Sequence, residues 1–159
     1  MNASDDHKTT AEQAAESPIQ SKANRLDKRL LVISGKFRRR SNPSSGYHSL
    51  DELWTDLYPC MDLALSFEPS WSMQYMLRIT GEFHEYCVGF GKEHDVQGIP
   101  PMFRELEKAW LRLLEVQGLS TTDKIRSLNI FRDGNDKAGW LGIGEVYQQA
   151  MQAAVPAMT

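Results

Sequence analysis

Cysteine is nearly missing from this chain: Cys60 and Cys87 are the two thiols in 159 residues. Two cysteines can form one bridge, but not the disulfide framework that staples small secreted domains, so two buried free thiols are expected. No apolar run approaches the roughly 18 residues that a membrane-spanning helix needs. The first twenty residues are polar and acidic, unlike the basic and then apolar start of a secretory signal. These absences lead us to expect no transmembrane segment and a cytoplasmic or nuclear location. A Walker lysine, a nucleophile-elbow glycine pattern and any internal repeat are missing as well.

The residues present are those of a globular domain. A hydrophobic fraction of 41% with four tryptophans can supply a core, and 159 residues fit one domain plus a tail. The net charge of -3 hides an asymmetry. Between Lys22 and Arg40 stand eight Lys/Arg against the single acid Asp27, whereas residues 41–159 carry nine basic and sixteen acidic groups. A basic segment on an acidic body points to an acidic partner or surface.

Residues 1–21 hold one large aliphatic, Ile19, and too little apolar area to offset the entropy of ordering, so a disordered acidic and polar tail is expected there. From Asn24 the spacing changes. Leu26, Leu30, Ile33 and Phe37 fall at i, i+4, i+7 and i+11, one face of a helix. LLVIS (30–34) also suits a buried strand, but the helical spacing is preferred. SNPSSG (41–46) then reads as a linker, so that residues 22–46 form a basic arm and linker and 47–155 a helical domain.

Ser49 with Glu52 has the spacing of a capping box opening a helix with Leu50, Leu53, Trp54, Leu57, Met61 and Leu65 on one face, which Pro59 should kink or split. Ser70 can cap the next, with Met73, Met76, Ile79, Phe83, Cys87 and Phe90 at steps of three or four. Phe103, Leu106, Trp110, Leu113 and Leu114 mark a fourth helix, with Pro101 near its start and Gly118 past its end. Thr121 or Thr122 can cap a fifth carrying Ile125, Leu128 and Phe131. A sixth, from about Leu141, carries Val146, Tyr147, Ala150 and Met151. Such stripes must pack on one another, which gives an all-α fold, a compact bundle of five or six helices.

Two stretches invite a ligand reading and fail it. In RDGNDKAGWLGIGEV (132–146) an EF-hand count from Asp133 puts Lys137 at position 5, Ala138 at position 6 and Gly144 at position 12, where calcium needs oxygen ligands, a glycine and a glutamate. A helix end at Gly134, a turn through Asn135 and Asp136 and a later helix are expected instead. In GEFHEYCVGFGKEHD (81–95) His84 and Glu85 begin a helical zinc motif, but Val88 takes the second histidine's place. His94 could add one more ligand of mixed quality. Cys87 is therefore expected in the core, with Glu82, His84 and Glu85 towards solvent, and no metal or cofactor is expected.

KRLLVISGKFRRR remains. Arg25, Lys28, Arg29, Lys36, Arg38, Arg39 and Arg40 can neutralise phosphates or carboxylates, and Phe37 and Tyr47 can stack on bases. The same cations could serve as a nuclear-import patch or lipid contact, or complement a helix C-terminal dipole. The reading that follows is a small non-enzymatic helical interaction protein of adaptor, regulatory or viral accessory type. It would have a protein partner and a basic arm for an acidic surface, anionic membrane included. Nucleic-acid binding through residues 25–40 is the alternative, and an enzyme using His84, Glu85 and Cys87 comes last.

Overall fold

In a computed structural model, which describes residues 17–91 and 96–156, six α-helices and a short 3-10 turn build one bundle, with no strand among the described residues. The fold class is the one expected from the stripes. Most of the tail expected over residues 1–21, and His94, lie outside the described residues.

Helix α1 runs Pro18–Arg38. Ser17 Oγ accepts the Gln20 amide at 3.1 Å, and Pro18 stands where a missing amide proton costs nothing. Helix thus begins ahead of the expected tail boundary, and the helix reading of residues 30–34 holds over the strand. Leu26, Leu30 and Ile33 join the same core as the later helices, so residues 22–38 are part of the body rather than a separate arm.

Helix α2 (Leu50–Leu65) starts at Ser49, whose Oγ accepts the Glu52 amide at 3.2 Å. Glu52 reaches back to the His48 amide at 2.7 Å, one residue earlier than a capping box requires. Pro59 lies inside α2 without ending it, with its ring on the exposed face.

Helix α3 (Pro69–Gly91) begins one residue before Ser70, which is not its cap; the Ser70 hydroxyl donates to Glu68. Its expected stripe is buried throughout, and so are Ser72, Thr80 and His84. After the 3-10 turn Val96–Gly98 comes α4 (Ile99–Leu114), ending before Gly118 at φ +101°.

Helix α5 runs Thr121–Trp140 and is capped by Ser120 rather than by a threonine, with Ser120 Oγ accepting the Asp123 amide at 3.0 Å. It passes straight through Gly134, where a helix end was expected, and Ile125 is 46% exposed instead of buried. Helix α6 is short, Gln148–Ala154. Glu107 on α4 accepts the Gln149 and Ala150 amides at its start, a carboxylate on orphan helix donors.

Helix α3 is the centre: α2, α4 and α5 pack on it, α1 covers α2, and α6 bridges α4 and α5. A chain of rings links these layers. Phe83 meets Trp54 and Phe103, Phe103 meets Tyr147, and Phe131 joins Tyr147 to Trp110, all with centroids 4.9 to 5.5 Å apart. The Trp110 indole donates to Thr80 Oγ1 at 2.9 Å, so the buried polar atoms of both are satisfied.

Candidate functional site

Two constellations hold the chemistry-bearing side chains. The first is internal. His84, expected towards solvent, is fully buried between α3, α5 and α6, with Asp133 Oδ2 3.0 Å from Nδ1 and the Tyr147 hydroxyl 2.7 Å from Nε2. Gly134 makes this possible. A Cβ there would lie 2.5 to 2.7 Å from the Tyr147 and His84 rings. Tyr147 reaches the histidine from a left-handed backbone position, φ 62°, at the turn into α6.

Burial pushes the His84 imidazole down to about 4, against the opposing pull of Asp133. The hydrogen bonds agree with a neutral ring: Nδ1–H donates to Asp133 and Nε2 accepts from Tyr147, leaving no orphan atom. Burial alone would raise Asp133, but bonds from Lys137 and His84 outweigh it and hold the carboxyl below its ordinary value. Lys137 also binds Glu85 at 2.7 Å, tying α5 to the outer surface of α3. Acid, imidazole and hydroxyl stand in the order of a proton relay, but the hydroxyl is a buried phenol with its pKa raised well above the ordinary value by that burial. That hydroxyl is engaged by His84 Nε2. The network locks three helices, which is what a fully satisfied buried polar network does best.

Cys60 and Cys87 are both buried free thiols, and burial raises the pKa of each. The side chains expected as last-choice catalytic residues are therefore scattered: Cys87 in the core, His84 locked, Glu85 exposed beside Lys137. Among the described residues no group of three or more His, Cys, Asp and Glu could hold a metal ion. None of the described helices is long and apolar enough to cross a membrane.

The second constellation is the outer face of α1. Arg25, Lys28 and Arg29 are exposed and, among the described residues, make no salt bridge. Val32, 58% exposed, stands among them, and Leu31, 63% exposed, flanks them beside Lys28. The later cations are more occupied. Arg38 donates to Ser34 Oγ at 2.8 Å, and Arg40 donates to the Phe37 carbonyl while its guanidinium lies 4.1 Å from the Phe37 ring centre. Arg39 is exposed and reaches back over Gly35.

Neither ring expected for stacking is free. Phe37 packs on Tyr86 and Phe90 and against Gly89. Tyr47 is buried, with its hydroxyl donating to Asp56 at 2.6 Å and Lys36 Nζ 4.5 Å from its ring. Leu31 and Val32 were missed as site residues, although one signal was present. Both fall outside the Leu26, Leu30, Ile33, Phe37 stripe, so a helix with that stripe buried must expose them. No local signal announced the partnership of His84 with Asp133 and Tyr147, whose residues lie 49 and 63 positions away.

No protein-family model matches the sequence, and no solved structure matches it. The chain is 32% identical over 105 residues to an uncharacterised protein of Schizosaccharomyces pombe, an alignment covering 64% of this chain and 65% of that relative, so the chain spans just under two thirds of its length.

Proposed function

We propose that this is a non-enzymatic helical interaction protein whose outer α1 face contacts an acidic partner protein. One observation carries the reading: Arg25, Lys28 and Arg29, which make no salt bridge among the described residues, share a solvent face of α1 with Val32, and Leu31 flanks it beside Lys28. Cations alone would suit any anion. Exposed aliphatic side chains among cations suit a surface that presents both carboxylates and apolar groups, which is a protein. The half-occupied state of Arg38 and Arg40 and the engaged rings of Phe37 and Tyr47 weigh against the nucleic-acid alternative.

A photo-crosslinking amino acid at position 28, compared with one at position 126 on α5, tests this in extracts of the native host. We expect a discrete protein adduct from position 28 that disappears when Arg25→Glu and Arg29→Glu are introduced in the same chain. Equal adducts from both positions contradict it. Salt-sensitive retention on nucleic acid that is lost in an Arg38→Ala, Arg39→Ala, Arg40→Ala variant would move the function to the alternative.

A further inference from the structure

Helices α1 and α2 pack side by side, and a surface groove of about 490 Å³ runs between them. Lys28, Arg29 and Val32 form its α1 wall; Thr55, Asp56 and Pro59 form its α2 wall. A second, more polar hollow of about 420 Å³ shares Thr55 and Asp56 and extends the groove to Lys36. From Lys28 to Lys36 the helix rises about 12 Å at 1.5 Å per residue, the length of roughly four residues of extended chain.

The walls select what fits. Of the two acids on the walls, Asp56 already accepts the Tyr47 hydroxyl and Glu52, in the second hollow, the His48 amide, while Lys28 and Arg29 have no salt-bridge partner among the described residues. Pro59 has no amide proton to give the Thr55 carbonyl, its ordinary helical partner four residues back, so that acceptor lacks its usual helical donor. An extended peptide has main-chain N–H groups to offer, whereas a helix has used its own and phosphate has none. Val32 and Pro59 add an apolar contact. A second copy meeting this one through the same face would set cations against cations.

We infer that this groove seats an extended acidic segment of a partner protein. It places carboxylates on Lys28, Arg29 and Lys36, an aliphatic side chain on Val32 and Pro59, and a main-chain N–H on the Thr55 carbonyl. The inference rests on the reading of the outer α1 face as a contact surface, and adds which chemistry the partner presents and where.

The test titrates the full isotope-labelled chain with the synthetic peptide Glu-Leu-Glu-Leu-Glu-Leu and its Leu→Ser counterpart of equal charge, read as backbone amide shifts. Saturable shifts should concentrate at 28–36 and 55–60. Affinity should fall at least fivefold for the serine peptide and for Val32→Glu, and at least tenfold for Lys28→Glu with Arg29→Glu. All these positions are exposed, and an unchanged thermal midpoint verifies folding. Equal binding of both peptides, insensitive to Val32→Glu, would overturn the groove and leave the charged face standing. Absence of shifts with either peptide would also overturn the groove, while the crosslinking result decides the broader reading separately. Val32-dependent binding to phosphatidylserine vesicles without peptide binding would replace the protein segment by a lipid surface.

Discussion

His84 shows how one residue couples burial to pH. Its folded-state value of about 4 lies below the ordinary 6.5. Above pH 6.5 the ring is neutral in both folded and unfolded chains, and the stabilisation is fully present. As pH falls from 6.5 to 4 the unfolded chain takes up a proton that the folded one refuses, so stability drops, by about 3 kcal/mol in total. Urea unfolding at steps across this window should show that slope, and His84→Gln should flatten it. Gly134 is the second residue-scale case. In an exposed helix Gly→Ala gains about 1 kcal/mol, but here the added Cβ would meet the Tyr147 and His84 rings at 2.5 to 2.7 Å, and overpacking costs about 1 to 3 kcal/mol. Gly134→Ala should therefore bring no gain and destabilise by up to about 2 kcal/mol net in the same unfolding assay. The sequence made Gly134 look like a helix end because propensity is local. What keeps it glycine is a histidine fifty positions earlier, and nothing in residues 132–146 alone reveals that neighbour.

At the scale of elements, apolar spacing carried most of the fold. The stripes Leu26–Leu30–Ile33 and Met73–Met76–Ile79–Phe83–Cys87–Phe90 are buried where their periods put them. The caps were less legible. Ser120 was passed over for the threonines that follow, and Pro69 rather than Ser70 opens α3, since several neighbouring residues could cap equally well. Ile125 failed as a core position, being 46% exposed, while Ser127 and Phe131 of the same helix are buried. Trp110 tests the stripe logic on α4. Its ring is fully buried against Phe131, and its indole satisfies Thr80. Trp110→Ala should cost about 3 to 5 kcal/mol, a large part of a small domain's stability, visible as a lowered denaturation midpoint. At the start of α1, Ser17→Ala should cost about 1 kcal/mol through loss of the Gln20 contact.

The whole molecule is an acidic body with one basic helix face, a pattern legible from the charge count alone; that the basic segment is packed into the body was not. Leu26, Leu30 and Ile33 anchor it, which leaves Arg25, Lys28, Arg29, Leu31 and Val32 displayed on a rigid helix. Display on a fixed element lowers the ordering cost of binding. The most direct measurement takes the partner identified by crosslinking and compares its affinity for the wild type with that for an Arg25→Glu, Lys28→Glu, Arg29→Glu chain at two salt concentrations. The account predicts at least a hundredfold loss of affinity, a weaker salt dependence, and an unfolding free energy changed by no more than about 0.5 kcal/mol per position. An affinity unchanged by the triple reversal, in a chain that still folds, would contradict it.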